Sequence, residues 1–338
     1  MIERSFELGG PIVEKFYFSD APVALIQGPR WSTKSYTTVQ KLFRNVVDQP
    51  ADKRGVKRRK TIAVRDTYDN LKRTTVPGVL EVFPEVEWGR VKWEKPFLYE
   101  IRAPGIEWDI LFLAIEDDRA LGKFLSQQFS DLWLHEFREL PFKILEDADG
   151  AIGRYPPYTE EGCHRPQMIG DTNAPRVDHW FSYMSGQSVP PDDLPPEDRA
   201  KLIKPDTWSI YIQPPALIEE KNEVGDVTGY RENPHCEGAK FREPGWYLSK
   251  LPGKTPGWIR VNLLNKPATL TEGKPVWPGF RDEAPPRGHV SASNLEAVEG
   301  HTVMVGVDFG RTPAAVFGQR VFDHWRIVYE VAIVTGKL

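Results

Sequence analysis

The chain has 338 residues, a net charge of −4, and 40% hydrophobic residues, 12% of the total being aromatic; it can bury a large core and exceeds what one core usually holds. The mildly acidic balance excludes nucleic-acid binding through overall charge and leaves local patches as the only electrostatic route. Two cysteines exclude a disulfide framework, and no apolar run approaches the roughly 18 to 20 residues of a membrane-spanning helix.

The opening M-I-E-R-S-F-E-L-G-G lacks the charged-then-apolar layout of a secretory signal, so a reducing cytoplasm is the expected setting. Eleven tryptophans spread along the chain point to ordered structure, and thirty prolines, most of them after Gly150, point to a loop-rich second half.

Residues 1–22 read as a lead-in whose Phe16, Tyr17 and Phe18 either join the core or pack near a nucleotide base. The apolar run from Val23 to Ile26 predicts a buried strand, and it leads into G-P-R-W-S-T-K-S, residues 28–35. That octet has the spacing of a phosphate-binding loop, G-x-x-x-x-G-K-[ST], with Thr33 where the second glycine belongs. A loop turning into a helix leaves backbone N–H groups unpaired, and the helix dipole adds positive potential there, so anions bind.

Gly28, Pro29, Arg30, Trp31, Ser32, Thr33, Lys34 and Ser35 are therefore the candidate nucleotide-binding residues. Lys34 reaches the terminal phosphates, Ser35 holds Mg2+, and Arg30 adds a fixed charge near the γ-phosphate. Thr33 weakens the match, because a β-branched residue adopts positive φ poorly and crowds the phosphates. The competing reading is an ordinary strand–turn–helix junction. A helix over 33–47 follows, with Val39, Leu42, Phe43 and Val46 spaced for burial.

The run K-R-G-V-K-R-R-K over 53–60 is either a solvated loop or a contact to a phosphate backbone, with Lys57, Arg58 and Arg59 as the candidate DNA-binding residues. A strand is predicted over 61–65 and a helix over 69–83, interrupted near Pro77; Arg65 and Arg73 in this region read most simply as surface or salt-bridging arginines. Strands over 97–103 and 107–115 form a hairpin at Pro104-Gly105, and a short helix, broken near Gly122, is expected over 116–129.

D-L-W-L-H-E-F, residues 131–137, is an apolar strand ending in His135-Glu136. A carboxylate at the tip of a buried strand is costly unless it is paired or at work. In a nucleotide hydrolase Glu136 would orient and deprotonate the attacking water; otherwise it is a solvated strand end. His135 stands where such enzymes place an Mg2+-supporting aspartate, and a neutral imidazole there can hydrogen-bond a metal-bound water but brings no charge. Asp131 does not replace it, lying four strand residues away, roughly 13 Å.

Q-M-I-G-D-T-N, residues 167–173, is a further strand; beside the previous one it would put Thr172 and Asn173 near the γ-phosphate. Cys163-His164 and His235-Cys236 lack the spacing of a zinc site. A proline- and acid-rich excursion over 188–205, a strand over 208–213 and a helix within 244–264 follow. After a loop at 282–288, strands over 301–306, 314–321 and 325–334 form an antiparallel meander, with Asp308 in V-D-F-G-R-T-P.

The order G-P-R-W-S-T-K-S, A-V-R-D-T-Y-D-N-L, L-W-L-H-E-F-R-E-L, G-D-T-N-A-P and G-V-D-F-G-R-T-P-A-A-V resembles the large terminase subunit of tailed double-stranded DNA bacteriophages, over about 23–334. The resemblance implies an α/β P-loop NTPase with the additional-strand, catalytic-glutamate sheet over 23–285, carrying proline-rich insertions. Over 300–338 it implies the first strands of an RNase H-like nuclease. It also implies ATP and Mg2+ as cofactors, and double-stranded DNA, a portal protein and a small terminase subunit as partners. A homo-oligomeric ring, the host cytoplasm and no membrane complete that picture.

By the same resemblance Lys34 and Ser35 bind phosphate and Mg2+, Arg30 is the arginine inside the loop, and Glu136 is the catalytic carboxylate. Thr172 and Asn173 couple hydrolysis to DNA movement, and either Arg65 or Arg73 is offered to a neighbouring subunit. Asp308 is the first metal-binding aspartate of the nuclease. Two-metal cleavage needs several carboxylates, the later ones being expected beyond Leu338, so DNA cutting by this chain alone is not expected. The alternatives are another ATP-dependent DNA remodeller or helicase, and a scaffold that binds nucleotide and DNA without hydrolysis.

Overall fold

Continuous apolar runs make strands that need cover on both faces, and this requirement sets the centre of the fold. In chain order the elements are α1 (Pro11–Phe18), β1 (Val23–Gln27), α2 (Lys34–Asp48), β2 (Lys57–Arg65), β3 (Gly89–Lys92), β4 (Phe97–Ala103), β5 (Ile106–Ala114), β6 (Asp131–His135), β7 (Met168–Thr172) and β8 (Trp208–Ile212). They build one eight-stranded sheet in the order β3-β4-β5-β2-β6-β7-β1-β8. From β5 to β8 all neighbours are parallel, whereas β3, β4 and β5 pair antiparallel. The computed structural model describes residues 6–116, 127–191, 194–268, 289–291, 293–309 and 314–332.

Side-chain alternation along each strand divides the core in two. Ala24, Ile26, Ala63, Trp133 and Ile169 face a cluster with Val39, Leu42 and Val46 of α2. Val23, Leu25, Ile62, Val64, Leu132, Leu134 and Met168 face the opposite cluster, with Ile144, Leu145 and Phe181. The same alternation puts His135 and Asp171, which are register partners on β6 and β7, on the α2 side of the sheet at its C-terminal edge.

The predicted strands of this sheet are found, with shifts at their ends, and the hairpin at Pro104-Gly105 is a two-residue loop pairing Ala103 with Ile106. The lead-in is part of the core: α1 buries Val13 and Phe16, and the Phe16 ring meets Tyr211 edge-on at 5.8 Å. Phe16 is thus a core residue, while Phe18 is exposed. The start of α1 is capped from far along the chain, its Ile12 and Val13 N–H groups donating to the Glu237 carboxylate.

The expected helix over 69–83 contains a wide turn. Tyr68–Asn70 leads into a π-helical turn, Leu71–Thr75, and then an α-helix, Val76–Val82. Val76 N–H donates to Leu71 O, five residues back, immediately before Pro77, which has no N–H to continue an ordinary ladder. The helix expected over 116–129 lies mostly outside the described residues.

After β8 come a hairpin that no sequence signal predicts, β9 (Leu217–Lys221) with β10 (Val227–Glu232), and a helix, Pro256–Asn262, capped by the Thr255 hydroxyl. The chain divides into two units, Met1–Leu270 and Thr271–Leu338. In the second, β11 (Val303–Asp308), β12 (Ala314–Val321) and β13 (His324–Ala332) form the expected antiparallel meander. Among the described residues no helix is long and apolar enough to cross a membrane.

Candidate nucleotide site

The loop between β1 and α2 is pinned from both sides. Gly28 N–H donates to Thr172 O (3.0 Å) on β7, and Arg30 N–H to Asn262 O (2.8 Å). A Cβ on Gly28 would fall 1.8 Å from Gln213 Oε1, and that side chain is held in place by the Ser32 hydroxyl (2.7 Å) and by Glu237 (2.9 Å), so only glycine fits there. Arg30 donates through Nε to Asn262 Oδ1 (3.0 Å) and lies over the Trp258 ring; Trp31 is part-exposed, edge-on to Trp246 at 4.8 Å.

Thr33 takes up the left-handed conformation that the missing glycine would adopt freely, with φ 67°, and its buried hydroxyl has no hydrogen-bond partner among the described residues. Trp31 (φ 61°) and Glu136 (φ 51°) are left-handed too, so three of the six described non-glycine residues with positive φ lie in the loop 28–35 or at the tip of β6.

Lys34 is buried and reaches across the loop, donating to Pro29 O (3.3 Å) and Asn173 Oδ1 (2.5 Å). Burial pushes its pKa down, against the pull of Glu136 and Asp171. At the tip of β6, Glu136 Oε2 accepts from Thr172 Oγ1 and Asn173 N–H, both at 3.4 Å, and lies 3.3 Å from Arg138 Nε. Burial would raise the Glu136 pKa, but Lys34 and Arg138 outweigh it and hold the carboxyl at about 2. Lys34 and Glu136 therefore converge on the same end of the intervening strand β7.

On the α2 side of this point the Ser35 hydroxyl donates to Asp171 Oδ2, whose partner oxygen Oδ1 accepts from Trp133 Nε1 at 2.6 Å. His135 Nδ1 lies 2.7 Å from the Thr75 hydroxyl, and burial pushes its pKa down, which keeps the imidazole neutral. A cavity of about 260 Å3 opens beside these groups, lined by Ser35, Tyr36, Thr74, Thr75, Trp133 and His135. Ser35 and Asp171 offer oxygen atoms of the kind that hard divalent cations take, while among the described residues no three His, Cys, Asp or Glu side chains gather as a metal site.

No protein-family model matches the chain, and no curated protein does. Solved structures do. The large terminase of a thermophilic bacteriophage aligns over 95% of this chain and 67% of its own, with a TM-score of 0.53 at 10% identity. The same terminase in complex with ADP gives a TM-score of 0.52 at 11% identity, over the same shares of the two chains. This chain has the fold of a phage large terminase.

Within that terminase fold the remaining candidate residues separate by exposure. Arg65 is buried, donating to Glu139 Oε2 (2.9 Å) and the Thr74 hydroxyl (2.7 Å), whereas Arg73 is 76% exposed and meets only Asp69, one turn back (3.1 Å), among the described ion pairs. Of the DNA-facing trio, Arg59 is corrected. Lys57, Arg58 and Arg59 begin β2, and Arg59 is fully buried, gripping Asp131 through Nε and Nη2 at 2.6 Å each and donating to Gln49, His164 O and Arg165 O. Such an arginine cannot reach a DNA phosphate. Arg58 is held by Glu160 and Glu161, and Lys57 by Val47 O. Asp308 closes β11 opposite Ala314, within the strand and not in a turn.

Three site residues escape the sequence reading. Arg138 and Asn262 look like any surface arginine and helix-end asparagine until the fold brings them to Glu136 and Arg30. Asp171 carries a visible signal: in Q-M-I-G-D-T-N it alternates with Ile169, which places a carboxylate on the covered face of a strand.

Proposed function

We propose that the chain is an ATP-hydrolysing motor of the large terminase type that translocates double-stranded DNA into a viral capsid. The observation that carries this reading is the convergence of Lys34 and Glu136, from either side, on Thr172 and Asn173 at the end of β7. The triphosphate lies against the loop 28–35 and the start of α2, with Lys34 and Arg30 neutralising its terminal charge. Mg2+, held by Ser35, would screen the β- and γ-phosphate oxygens.

Glu136, whose carboxyl Lys34 and Arg138 hold low against burial, accepts a hydrogen bond from the attacking water and aligns it with the γ-phosphorus. A bound triphosphate engages Lys34, which now holds the Glu136 carboxyl low, and so makes Glu136 a better base when substrate is present. Thr172 and Asn173, placed between the two, report the loss of the γ-phosphate to the rest of the sheet. β7 between β1 and β6 is the additional strand of the catalytic-glutamate P-loop sheet.

In a homo-oligomeric ring, exposed Arg73 is the arginine that can be offered to a neighbouring subunit, since Arg65 is committed to Glu139 and Thr74. A portal protein, a small terminase subunit and the host cytoplasm belong to the same reading. The meander β11–β13 fits the opening of an RNase H-like fold, with Asp308 as one metal-binding carboxylate. Cleavage of DNA takes more carboxylates than that one and is not part of the proposal.

ATP turnover by the full chain tests the reading. Lys34→Ala is expected to abolish nucleotide binding; Glu136→Gln is expected to retain it while turnover falls by roughly 10²- to 10⁴-fold. Unchanged turnover in both variants would overturn the motor. Nucleotide binding by the parent without any turnover would favour a scaffold, the reading that strained Thr33 and uncharged His135 support.

A further inference from the structure

We propose that Asp171 is the carboxylate that draws the divalent cation to this site, having taken over, from one strand away, the role that His135 cannot fill; the proposal rests on the nucleotide-site reading above. His135 is a positioning residue beside it.

Four observations lead there. First, Asp171 is in contact with the metal-binding hydroxyl itself: Ser35 Oγ donates to its Oδ2, while Trp133 Nε1 fixes its Oδ1 at 2.6 Å. Second, Asp171 is fully buried, and among the described residues no lysine or arginine forms a salt bridge with it. The nearest basic group among the described ion pairs is His135 Nε2, 3.8 Å away. Buried carboxylates are ordinarily paired with a cation or coordinate a metal. Third, His135 and Asp171 are direct register partners on parallel strands, with side chains on the α2 face. Moving a carboxylate from one to the other shifts it by one strand spacing, roughly 4.8 Å, and keeps it beside the start of α2.

Fourth, most of the other carboxylates near this point are committed to partners. Glu136 answers Arg138 and Asn173, Glu139 answers Arg65, Asp66 holds Asn70, and Asp131 is locked to Arg59. Glu81 lines the cavity from an exposed helix position, at its outer side, whereas Asp171 is fully buried and meets the cavity only through Ser35, Trp133 and His135. That cavity, about 260 Å3 beside Ser35 and His135, gives room for the waters that Mg2+ keeps when bound through one or two carboxylates. His135 Nδ1 lies 2.7 Å from the Thr75 hydroxyl and its Nε2 3.8 Å from Asp171 Oδ2, so the ring is held beside the carboxylate without a hydrogen bond to it.

The test uses the full chain, a fluorescent non-hydrolysable ATP analogue, and Mn2+ followed by electron paramagnetic resonance, an oxygen-seeking stand-in for Mg2+. Asp171→Asn keeps the shape and can still accept from Trp133; Asp171→Ser is the second neutral variant. Both are expected to weaken the Mn2+ midpoint in the presence of the analogue by about 10- to 100-fold, while analogue binding in EDTA stays within about threefold of the parent. His135→Asp combined with Asp171→Asn, which returns a carboxylate to the neighbouring strand tip, is expected to recover most of the Mn2+ affinity. His135→Gln alone is expected to move the midpoint by less than about fivefold.

A Mn2+ midpoint in Asp171→Asn within about twofold of the parent, with the analogue bound, overturns the proposal and leaves the nucleotide site standing. So does a larger loss in His135→Gln than in Asp171→Asn. Equal analogue binding by the parent and Lys34→Ala in EDTA removes the nucleotide site itself, and the proposal with it.

Discussion

Replacing Arg59 with methionine should destabilise the first unit severely and leave DNA affinity to other residues. The side chain is fully buried and donates five hydrogen bonds, two of them to Asp131, which is as buried as its partner. Arg59→Met keeps the stem but leaves the Asp131 carboxylate with only Asn45 Nδ2 (3.2 Å) and Gln167 N–H (3.3 Å) among its described donors. Breaking one half of a buried ion pair costs about 3–5 kcal/mol, which for a unit of this size corresponds to a fall in Tm of roughly 6–20 °C. Thermal unfolding followed by tryptophan fluorescence reports it, since most of the eleven tryptophans precede Leu270. Arg59→Met with Asp131→Leu should recover a large part of the loss, because no buried charge is then left alone. A loss below about 1 kcal/mol, or a flatter salt dependence of duplex binding at unchanged stability, would refute the structural role and restore the DNA-contact reading.

Two further outcomes concern α2 and the loop before it. Lys41, buried on α2 and donating to Tyr17 O (3.3 Å) and Ser19 O, has its pKa pushed by burial down to about 7. Between pH 7 and about 10 the unfolded chain therefore holds a proton that the folded chain has released, so stability rises with pH across that window, by a few kcal/mol at most. Lys41→Met should flatten that slope in urea titrations at pH 7, 8.5 and 10; equal slopes in parent and variant would show that Lys41 keeps its proton. Thr33→Gly removes a β-branched residue from φ 67° and should raise Tm by roughly 2–4 °C, about 1 kcal/mol after the entropy cost of glycine. A lower Tm would mean that Thr33 makes packing contacts worth more than its strain.

The strand, loop and helix around Lys34 are legible in the sequence because they depend on neighbours along the chain: an apolar run, a glycine, and a lysine at fixed spacing. The meeting of Glu136 with Thr172 and Asn173 is legible for a related reason, since each ends an apolar strand and parallel strands of one sheet end on one edge. What escapes depends on partners far away along the chain. Arg59 in R-R-K looks the same whether it is solvated or meets Asp131, and only the register of β2 against β6 decides between them. The α1 helix has no side-chain cap at its own N-cap residue, the cap being Glu237. The hairpin β9–β10 is half polar and largely exposed, so no hydrophobic period marks it. Asp171 is hidden by its neighbours, because Thr172 and Asn173 draw the functional reading although the alternation with Ile169 points to the aspartate.

The π turn at Leu71–Thr75 joins two strand ends. Its extra residue lets two successive side chains serve two different strand ends, Thr74 receiving Arg65 of β2 and Thr75 meeting His135 of β6. One turn of helix thus bridges the C-terminal ends of two neighbouring strands that already pair along their length.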